Sequence, residues 1–354
     1  MSEKFSGTRP VSPRHAFDVA RLAEWLAGNV GDLEGTLEVS QFKGGQSNPT
    51  YLLKAGGQRY VLRRKPPGKL LASAHAVDRE YRVIRALEQT AVPVAKAYGL
   101  CEDDSVIGTA VYVMEYVDGR VFWDPRLPDL EPAQRTRIHD EVNRVMAALH
   151  SVDPVEVGLD DFGRHGGYVE RQIARWTKQY RAAETETMAA MDRLIEWLPE
   201  NIPTGDETRI VHGDYRIDNV IFDPDEPRIR AVLDWELSTL GHPLADFAYH
   251  CMVWRVPPGA FRGLAGIDYA ALGIPTESEY QKMYCRRAGR DEIPAAEWQF
   301  YMAYNLFRLA AILQGVYARA LQGNASSAAA LETGGSAIEL AEAGWREAER
   351  LLAP

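Results

Sequence analysis

The chain has 354 residues, enough for two compact units at about 150 residues each and for a core that needs no disulfides. With 46% hydrophobic and 25% charged residues its composition is that of an ordinary globular protein. The net charge of −10 argues against general binding to nucleic acid or to an anionic membrane, while leaving room for a local basic pocket. Cys101, Cys251 and Cys285 form no C-x-x-C pair and are odd in number, which points to a reduced, cytoplasmic setting. Met1-Ser2-Glu3-Lys4 leads into no apolar signal-peptide core.

In chain order, residues 1–13 read as a polar tail with Pro10 and Pro13. Phe17, Leu22, Trp25 and Leu26 mark a short amphipathic helix. Strand-like residues Thr36–Phe42 run into Lys43-Gly44-Gly45-Gln46-Ser47-Asn48. Thr50–Lys54 and Arg59–Arg64 flank Ala55-Gly56-Gly57-Gln58, the pattern of a hairpin. Val77, Tyr81, Ile84 and Leu87 then predict a helix. Ala95–Cys101 and Ala110–Val117 are further strands, and Asp118-Gly119 is a plausible boundary. Beyond it the pattern is mainly helical. Pro132 suits a first helical position ahead of the stripe Ile138, Val142, Val145, Met146, Leu149. Further helices are expected over Tyr168–Ala183, Thr187–Leu198, Pro243–Val253, Ser278–Arg287, Ala296–Leu321 and Ser336–Leu352. Tyr301–Ala318 is the most apolar stretch, but Asn305, Arg308 and Gln314 interrupt it, so it reads as a buried helix and not a membrane span. The fold class is therefore α+β, and Asn324–Gly335, rich in small residues, reads as a helix–helix connection.

One stretch carries chemistry. In Ile210-Val211-His212-Gly213-Asp214-Tyr215-Arg216-Ile217-Asp218-Asn219-Val220-Ile221-Phe222, strand-like residues flank a tight polar loop with an Asp and an Asn five apart. Arg230-Ala231-Val232-Leu233 then delivers Asp234, twenty positions after Asp214. Phosphoryl transfer to an alcohol needs one carboxylate to take or orient the acceptor's proton and oxygen ligands to hold magnesium against the phosphates. Magnesium keeps several waters, so one or two carboxylates and an amide suffice. Asp214 fits the base; Asn219 and Asp234 fit the metal ligands. The bland alternative is a polar hairpin whose Asp and Asn only stabilise turns.

His212-Gly213-Asp214 through Asn219, followed by Asp234, resembles the catalytic loop of the aminoglycoside phosphotransferase and choline kinase superfamily. The resemblance implies a protein-kinase-like, two-lobed fold, with a small β-rich N-lobe over residues 15–117 and a large, mainly helical C-lobe over 118–354. It implies ATP and Mg2+ as cofactors. Lys43–Asn48 resembles the glycine-containing phosphate loop, with Gly44, Gly45, Ser47 and Asn48 near the nucleotide. Val61 and Arg63 share a strand face, and Arg63 resembles the cation that contacts the α- and β-phosphates, although Arg64 and Lys65 leave the register open. Glu80 resembles the helix glutamate that pairs with this cation, with Asp78 as its rival. Met114-Glu115-Tyr116-Val117 resembles a kinase hinge, with backbone groups of Glu115 and Val117 toward adenine and Met114 behind the ring. Asp246 would cap a helix or brace the catalytic loop, and His212 would tether it.

Asp234 is followed by Trp235-Glu236 and no activation segment follows, which argues against a protein substrate. Tyr60–Gly68, Asp78–Val83, Leu149–Asp153, Asp234–Gly241 and Phe307–Ala310 together resemble the kinase-like domain associated with acyl-CoA dehydrogenases and its free-standing bacterial relatives, over roughly residues 15–350. The implied acceptor is a small-molecule alcohol, a hydroxyacyl-CoA first, with a functional link to an acyl-CoA dehydrogenase. Arg286, Arg287, Arg290, Arg308 and Arg319 are candidates to meet CoA phosphates. Tyr280, Tyr284, Trp298, Tyr301 and Tyr304 are candidates for an acyl pocket or for a helical core. An aminoglycoside, amino-alcohol or sugar kinase, and a catalytically silent nucleotide- or acyl-CoA-binding module, are the alternatives.

Overall fold

The structure, a computed structural model, describes residues 7–31, 34–43, 48–66, 76–259, 262–322 and 330–352. The chain opens with β1 (Thr8–Arg9), α1 (Val19–Asn29), β2 (Glu38–Phe42), β3 (Thr50–Ala55), β4 (Gln58–Arg64), α2 (Val77–Leu87), β5 (Ala97–Cys101), α3 (Asp104–Ile107) and β6 (Val111–Glu115). It continues through α4 (Pro132–Ser151), α5 (Tyr168–Ala183), α6 (Ala189–Glu200), β7 (Arg209–Val211), β8 (Val220–Phe222), β9 (Ile229–Val232), β10 (Thr239–Gly241) and α7 (Pro243–Cys251). It ends with α8 (Tyr269–Leu272), α9 (Glu277–Arg287), α10 (Ala295–Leu321) and α11 (Ala330–Leu352). Ala330–Gly335 is thus helical, where the sequence reading expected connection; residues 323–329 lie outside the described residues.

The chain divides into two compact units. The first comprises Met1–Trp123, Val155–Leu159 and Ile217–Ser238; the second comprises Asp124–Pro154, Asp160–Arg216 and Thr239–Pro354. The single cut expected between residues 117 and 118 differs from this grouping. The β8–β9 hairpin joins the first unit through Arg120, which bridges to Phe222 and donates from its side chain to the Asp223 carbonyl at 2.9 Å. A boundary drawn where a strand-rich pattern gives way to a helical one does not anticipate a later segment returning to an earlier sheet.

In the first unit six antiparallel strands run in the order β1-β2-β3-β4-β6-β5. The β3–β4 hairpin closes through Gly56 and Gly57, both at positive φ (53° and 82°), the backbone that a tight two-residue turn requires. Strand alternation sorts the sheet's faces. Tyr51, Leu53, Tyr60, Leu62, Val111 and Val113 form one buried face in a core with Leu22 and Leu26 of α1. The register pairs Thr50 with Arg63, Arg63 with Tyr112 and Val61 with Met114, which places these residues on the other face.

The second unit is built around α10, most of whose side chains are buried. Phe247 stacks on Tyr284 at 3.8 Å between ring centroids and lies 5.4 Å from Trp298. Tyr280, Tyr284, Trp298, Tyr301 and Tyr304 are each at most 4% exposed and belong to the helical core. Pro132 opens α4 with a Glu131–Gln134 capping box. β7 pairs with β10 and delivers His212-Gly213-Asp214 at its end. Among the described residues no helix is long and apolar enough to cross a membrane.

Candidate functional site

The first unit holds a cavity of about 510 Å³, within the range of small-molecule sites. Its walls include Thr50, Val61, Arg63 and Met114 from the sheet and Asn219 and Asp234 from the hairpin. Glu115 and Val117 also line it. The N–H of Glu115 donates to the Lys96 carbonyl at 2.8 Å, so the carbonyl is the backbone group Glu115 would offer a ligand. Asn219 ends a 3-10 turn just before β8, and Asp234 lies two residues past the end of β9. Pairing of Val220 with Val232, and of the Leu233 N–H with the Asn219 carbonyl at 2.8 Å, carries both ligand candidates to one end of the hairpin. Asp234 adopts a left-handed backbone (φ 63°, ψ 57°), a conformation costing about 1–3 kcal/mol for a non-glycine residue. Buried Trp235, with Nε1 donating to the Val232 carbonyl at 3.0 Å, holds the turn that imposes it.

Arg63 is the cation of this cavity. Its Nε lies 3.0 Å from Glu80 Oε2 without hydrogen-bond alignment, and its Nη2 donates to Glu80 Oε1 at 3.3 Å and to Asp234 Oδ1 at 3.2 Å. Arg64 faces the other way, donating to the Ile107 carbonyl (2.7 Å), Thr109 Oγ1 (3.0 Å) and the His15 carbonyl (3.2 Å). Glu80 is 1% exposed and also accepts from Asn48 Nδ2 at 2.7 Å and from the Tyr112 hydroxyl at 3.0 Å, whereas Asp78 is exposed. Burial works to push the Arg63 guanidinium down, but Glu80, with Tyr112, Asp234 and Glu236, pushes it up on balance, so it stays charged. Burial pushes the Glu80 carboxyl up, against the pull of Arg63 and the two donors. Asn48 therefore serves Glu80 with its side chain, and Gly44, Gly45 and Ser47 lie outside the described residues. Tyr112 and Glu236, whose Oε2 is 4.0 Å from Arg63, were missed in the sequence; two-residue alternation from Met114 was the available signal for Tyr112.

Asp214 belongs to the second unit, on a loop gripped from both sides. Asp246 accepts from the His212 N–H (2.7 Å) and the Gly213 N–H (2.9 Å), and His150 Nε2 lies 3.3 Å from it. Burial would raise the Asp246 carboxyl, but His150, His212 and these donors hold it below the usual carboxylate range. Arg308 Nη2 donates to the Gly213 carbonyl at 2.8 Å. Gly213 takes φ 84°, which a side chain would strain. His212 is fully buried and its Nδ1 accepts from the Asp214 N–H at 3.2 Å, a tether and not a base. The Tyr249 hydroxyl donates to Asp214 Oδ1 at 2.8 Å, and Arg216 Nε lies 3.4 Å from the same oxygen. Burial, with Asp214 beside it, pushes the Tyr249 phenol up, so it remains a neutral donor. Arg308 also lies over the Tyr249 ring at 4.6 Å. Sequence reading assigned Tyr249 nothing, because no spacing rule links it to Asp214 thirty-five positions earlier.

Three of the five arginines expected to meet CoA phosphates are already engaged. Arg287 pairs with Asp140 at 2.7 Å, Arg290 with Glu207 at 2.6 Å, and Arg308 is buried against Gly213.

Comparison with known proteins identifies relatives of this arrangement. A model of the phosphotransferase enzyme family (APH) matches residues 38–284. The mouse (Mus musculus) protein called acyl-CoA dehydrogenase family member 10 is 49% identical over 341 residues, which cover 96% of this chain and 32% of that protein. The chain spans about a third to under half of the curated relatives it matches. A crystal structure of a candidate aminoglycoside phosphotransferase from Ralstonia eutropha JMP134 is 55% identical, with a TM-score of 0.89 over 95% of this chain and 99% of that one. A thermostable mutant of the aminoglycoside phosphotransferase APH(4)-Ia, in a ternary complex with ADP and hygromycin B, shares the kinase-like fold at 17% identity and a TM-score of 0.58, over 92% and 98% of the two chains.

Proposed function

The chain belongs to the APH phosphotransferase enzyme family, and we propose that it transfers the γ-phosphoryl group of ATP, with magnesium, to the hydroxyl of a small-molecule alcohol, a hydroxyacyl-CoA first among them. The observation that carries this reading is the row in which Arg63 bridges Glu80 and Asp234 inside the cavity that Asn219 also lines. That cavity fits a nucleotide: apolar Val61 and Met114 flank a base, and Arg63, Asn219 and Asp234 form its polar end. Among the described residues no group of three or more His, Cys, Asp or Glu could cage a metal. Magnesium in phosphoryl transfer takes one or two carboxylates plus phosphate oxygens, so Asn219 and Asp234 are an adequate protein share. When bound, the metal neutralises phosphate charge.

The chain's own residues do the rest. The Glu115 carbonyl and Val117 N–H orient adenine, and Arg63, held by Glu80, meets the α- and β-phosphates. Asp214, five residues before Asn219, orients the acceptor hydroxyl and accepts its proton, while Tyr249 fixes the carboxylate through Oδ1. Dehydrogenase-named relatives favour the hydroxyacyl-CoA acceptor and a functional link to an acyl-CoA dehydrogenase. Similarity to a candidate aminoglycoside phosphotransferase favours a second reading, a cationic or sugar alcohol.

The test is ADP release with Mg-ATP and a 4-hydroxyacyl-CoA, with Asp214→Asn beside wild type. Loss of a general base costs about 10²–10⁴-fold in rate, so the variant should keep Mg-ATP affinity and lose turnover by that order. Normal turnover in Asp214→Asn sinks the assignment of the base. Mg-ATP binding without release sends the acceptor search to cationic alcohols and sugars.

A further inference from the structure

Arg63 Nη2 stands 3.2 Å from Asp234 Oδ1 and 3.3 Å from Glu80 Oε1, and Glu236 Oε2 is 4.0 Å away. The guanidinium thus occupies a cation's place beside the same carboxylate that would take a metal. The two arms of the contact are unequal. Glu80 is a side chain 1% exposed, whereas the Asp234 side chain is 37% exposed. The Glu80 arm is protected from solvent and doubly supported by Asn48 and Tyr112. The Asp234 arm is the one that yields.

The backbone on both sides is fixed. Arg63 is locked in register between Thr50 and Tyr112, and Asp234 is pinned at φ 63° above buried Trp235. The contact therefore opens through side chains, the Arg63 guanidinium turning about its anchor on Glu80. A divalent ion approaching Asp234 meets this cation a few ångströms away, and two cations on one carboxylate repel.

We propose that Arg63 competes with the divalent metal for Asp234, so that the metal binds weakly until an anionic phosphate ligand draws the guanidinium off. The inference rests on the reading of Asp234 as a metal ligand. Metal and nucleotide then reinforce each other's binding through Arg63, beyond the oxygens that the phosphates contribute, and the reinforcement is reciprocal. Glu80 serves as the anchor that keeps Arg63 in the cavity after it leaves Asp234.

The experiment measures Mn2+ affinity of the full chain by electron paramagnetic resonance, without ligand and with saturating ADP. Wild type is compared with Arg63→Met and with the double variant Arg63→Met/Glu80→Leu, which keeps an apolar wall should the single variant fold poorly. Asp234→Asn in each background identifies the site. Without nucleotide, both Arg63 variants should bind Mn2+ about ten-fold tighter than wild type, within the usual span of coupling effects. That gain should vanish with Asp234→Asn. The enhancement of Mn2+ binding by ADP should be about ten-fold smaller in the Arg63 variants than in wild type. Equal Mn2+ affinity in wild type and both Arg63 variants, with binding that still depends on Asp234, overturns the competition alone. Mn2+ binding indifferent to Asp234 in every background, ADP included, overturns the metal-ligand reading and the competition with it.

Discussion

Replacing Arg63 by methionine takes the guanidinium away from Glu80, a carboxylate 1% exposed. What remains for Glu80 is Asn48 Nδ2 at 2.7 Å and the Tyr112 hydroxyl at 3.0 Å, which satisfy lone pairs but not charge. Breaking a buried ion pair from one side costs about 3–5 kcal/mol, and the two surviving donors place Arg63→Met at the lower end, about 3 kcal/mol. Glu80→Leu leaves less stranded, because Arg63 keeps Asp234 at 3.2 Å and Glu236 at 4.0 Å; its cost should be about 2 kcal/mol. The double variant removes both charges but leaves Asn48 and Tyr112 without their acceptor, so it should also lie about 2 kcal/mol below wild type, giving a coupling of about 3 kcal/mol. Urea unfolding of the four proteins, followed by fluorescence and by circular dichroism, measures it. A coupling below about 1 kcal/mol would refute the claim that the two side chains form one buried unit. Mg-ATP binding should weaken in all three variants without being abolished, including in the one whose stability is partly restored.

Three further outcomes follow from the geometry. Asp234→Asn should weaken nucleotide binding in magnesium while metal-free binding, no longer opposed by the Arg63–Asp234 contact, becomes no weaker; titrations with an unaltered magnesium dependence would remove its assignment as ligand. Burial holds His139, His242 and His250, all in the second unit, at about 4, whereas the unfolded chain protonates them near 6.5. The unfolded state therefore binds more protons below that value, and each histidine's contribution, fully present above about 6.5, falls by up to about 1.4 kcal/mol per pH unit until about pH 4; a urea midpoint flat between pH 7 and 5 contradicts this. Arg308→Met removes the donor to the Gly213 carbonyl but also a buried cation, so stability should change by about 1 kcal/mol or less while turnover falls at least about ten-fold as Asp214 loses its fixed position; unchanged turnover would make Arg308 irrelevant to the loop.

Much of this was legible because it is local. Hairpin turns, helix starts and the motif spacing of His212–Asn219 are read from residues within a few positions of each other. Glu80 was legible only through resemblance, since a helix-surface charge is the ordinary expectation. The structure shows it at i+3 from Val77 within the buried stripe that continues through Ile84 and Leu87, while Tyr81, read as part of the stripe, is only half-buried. Strand alternation could not choose between Arg63 and Arg64, because neighbours on a strand face opposite sides and alternation alone does not say which side holds the cavity; the pairing with Tyr112 and α1's place on the other face decide it. Asp246, Arg308 and Tyr249 converge on one loop from α7 and α10, and convergence over thirty to ninety-five positions leaves no periodic trace.

That convergence bears on the acceptor. Phosphates of a CoA would be met best by unpaired cations, yet Arg287 and Arg290 already hold Asp140 and Glu207, and releasing them would expose two carboxylates to the incoming anion. A hydroxyacyl-CoA acceptor is thus argued from the named relatives and not from these arginines. What the second unit supplies instead is position: Asp246 and Arg308 clamp one residue, Gly213, from its N–H and its carbonyl, and Tyr249 sets the next carboxylate. Orientation of a reacting group is worth far more in rate than an added surface contact, because a displacement of about 1 Å can cost about 10²-fold. On the proposed role of Asp214 as base, selection among alcohols is expected at the hydroxyl, through the geometry imposed on Asp214, and less at the remote end of the substrate.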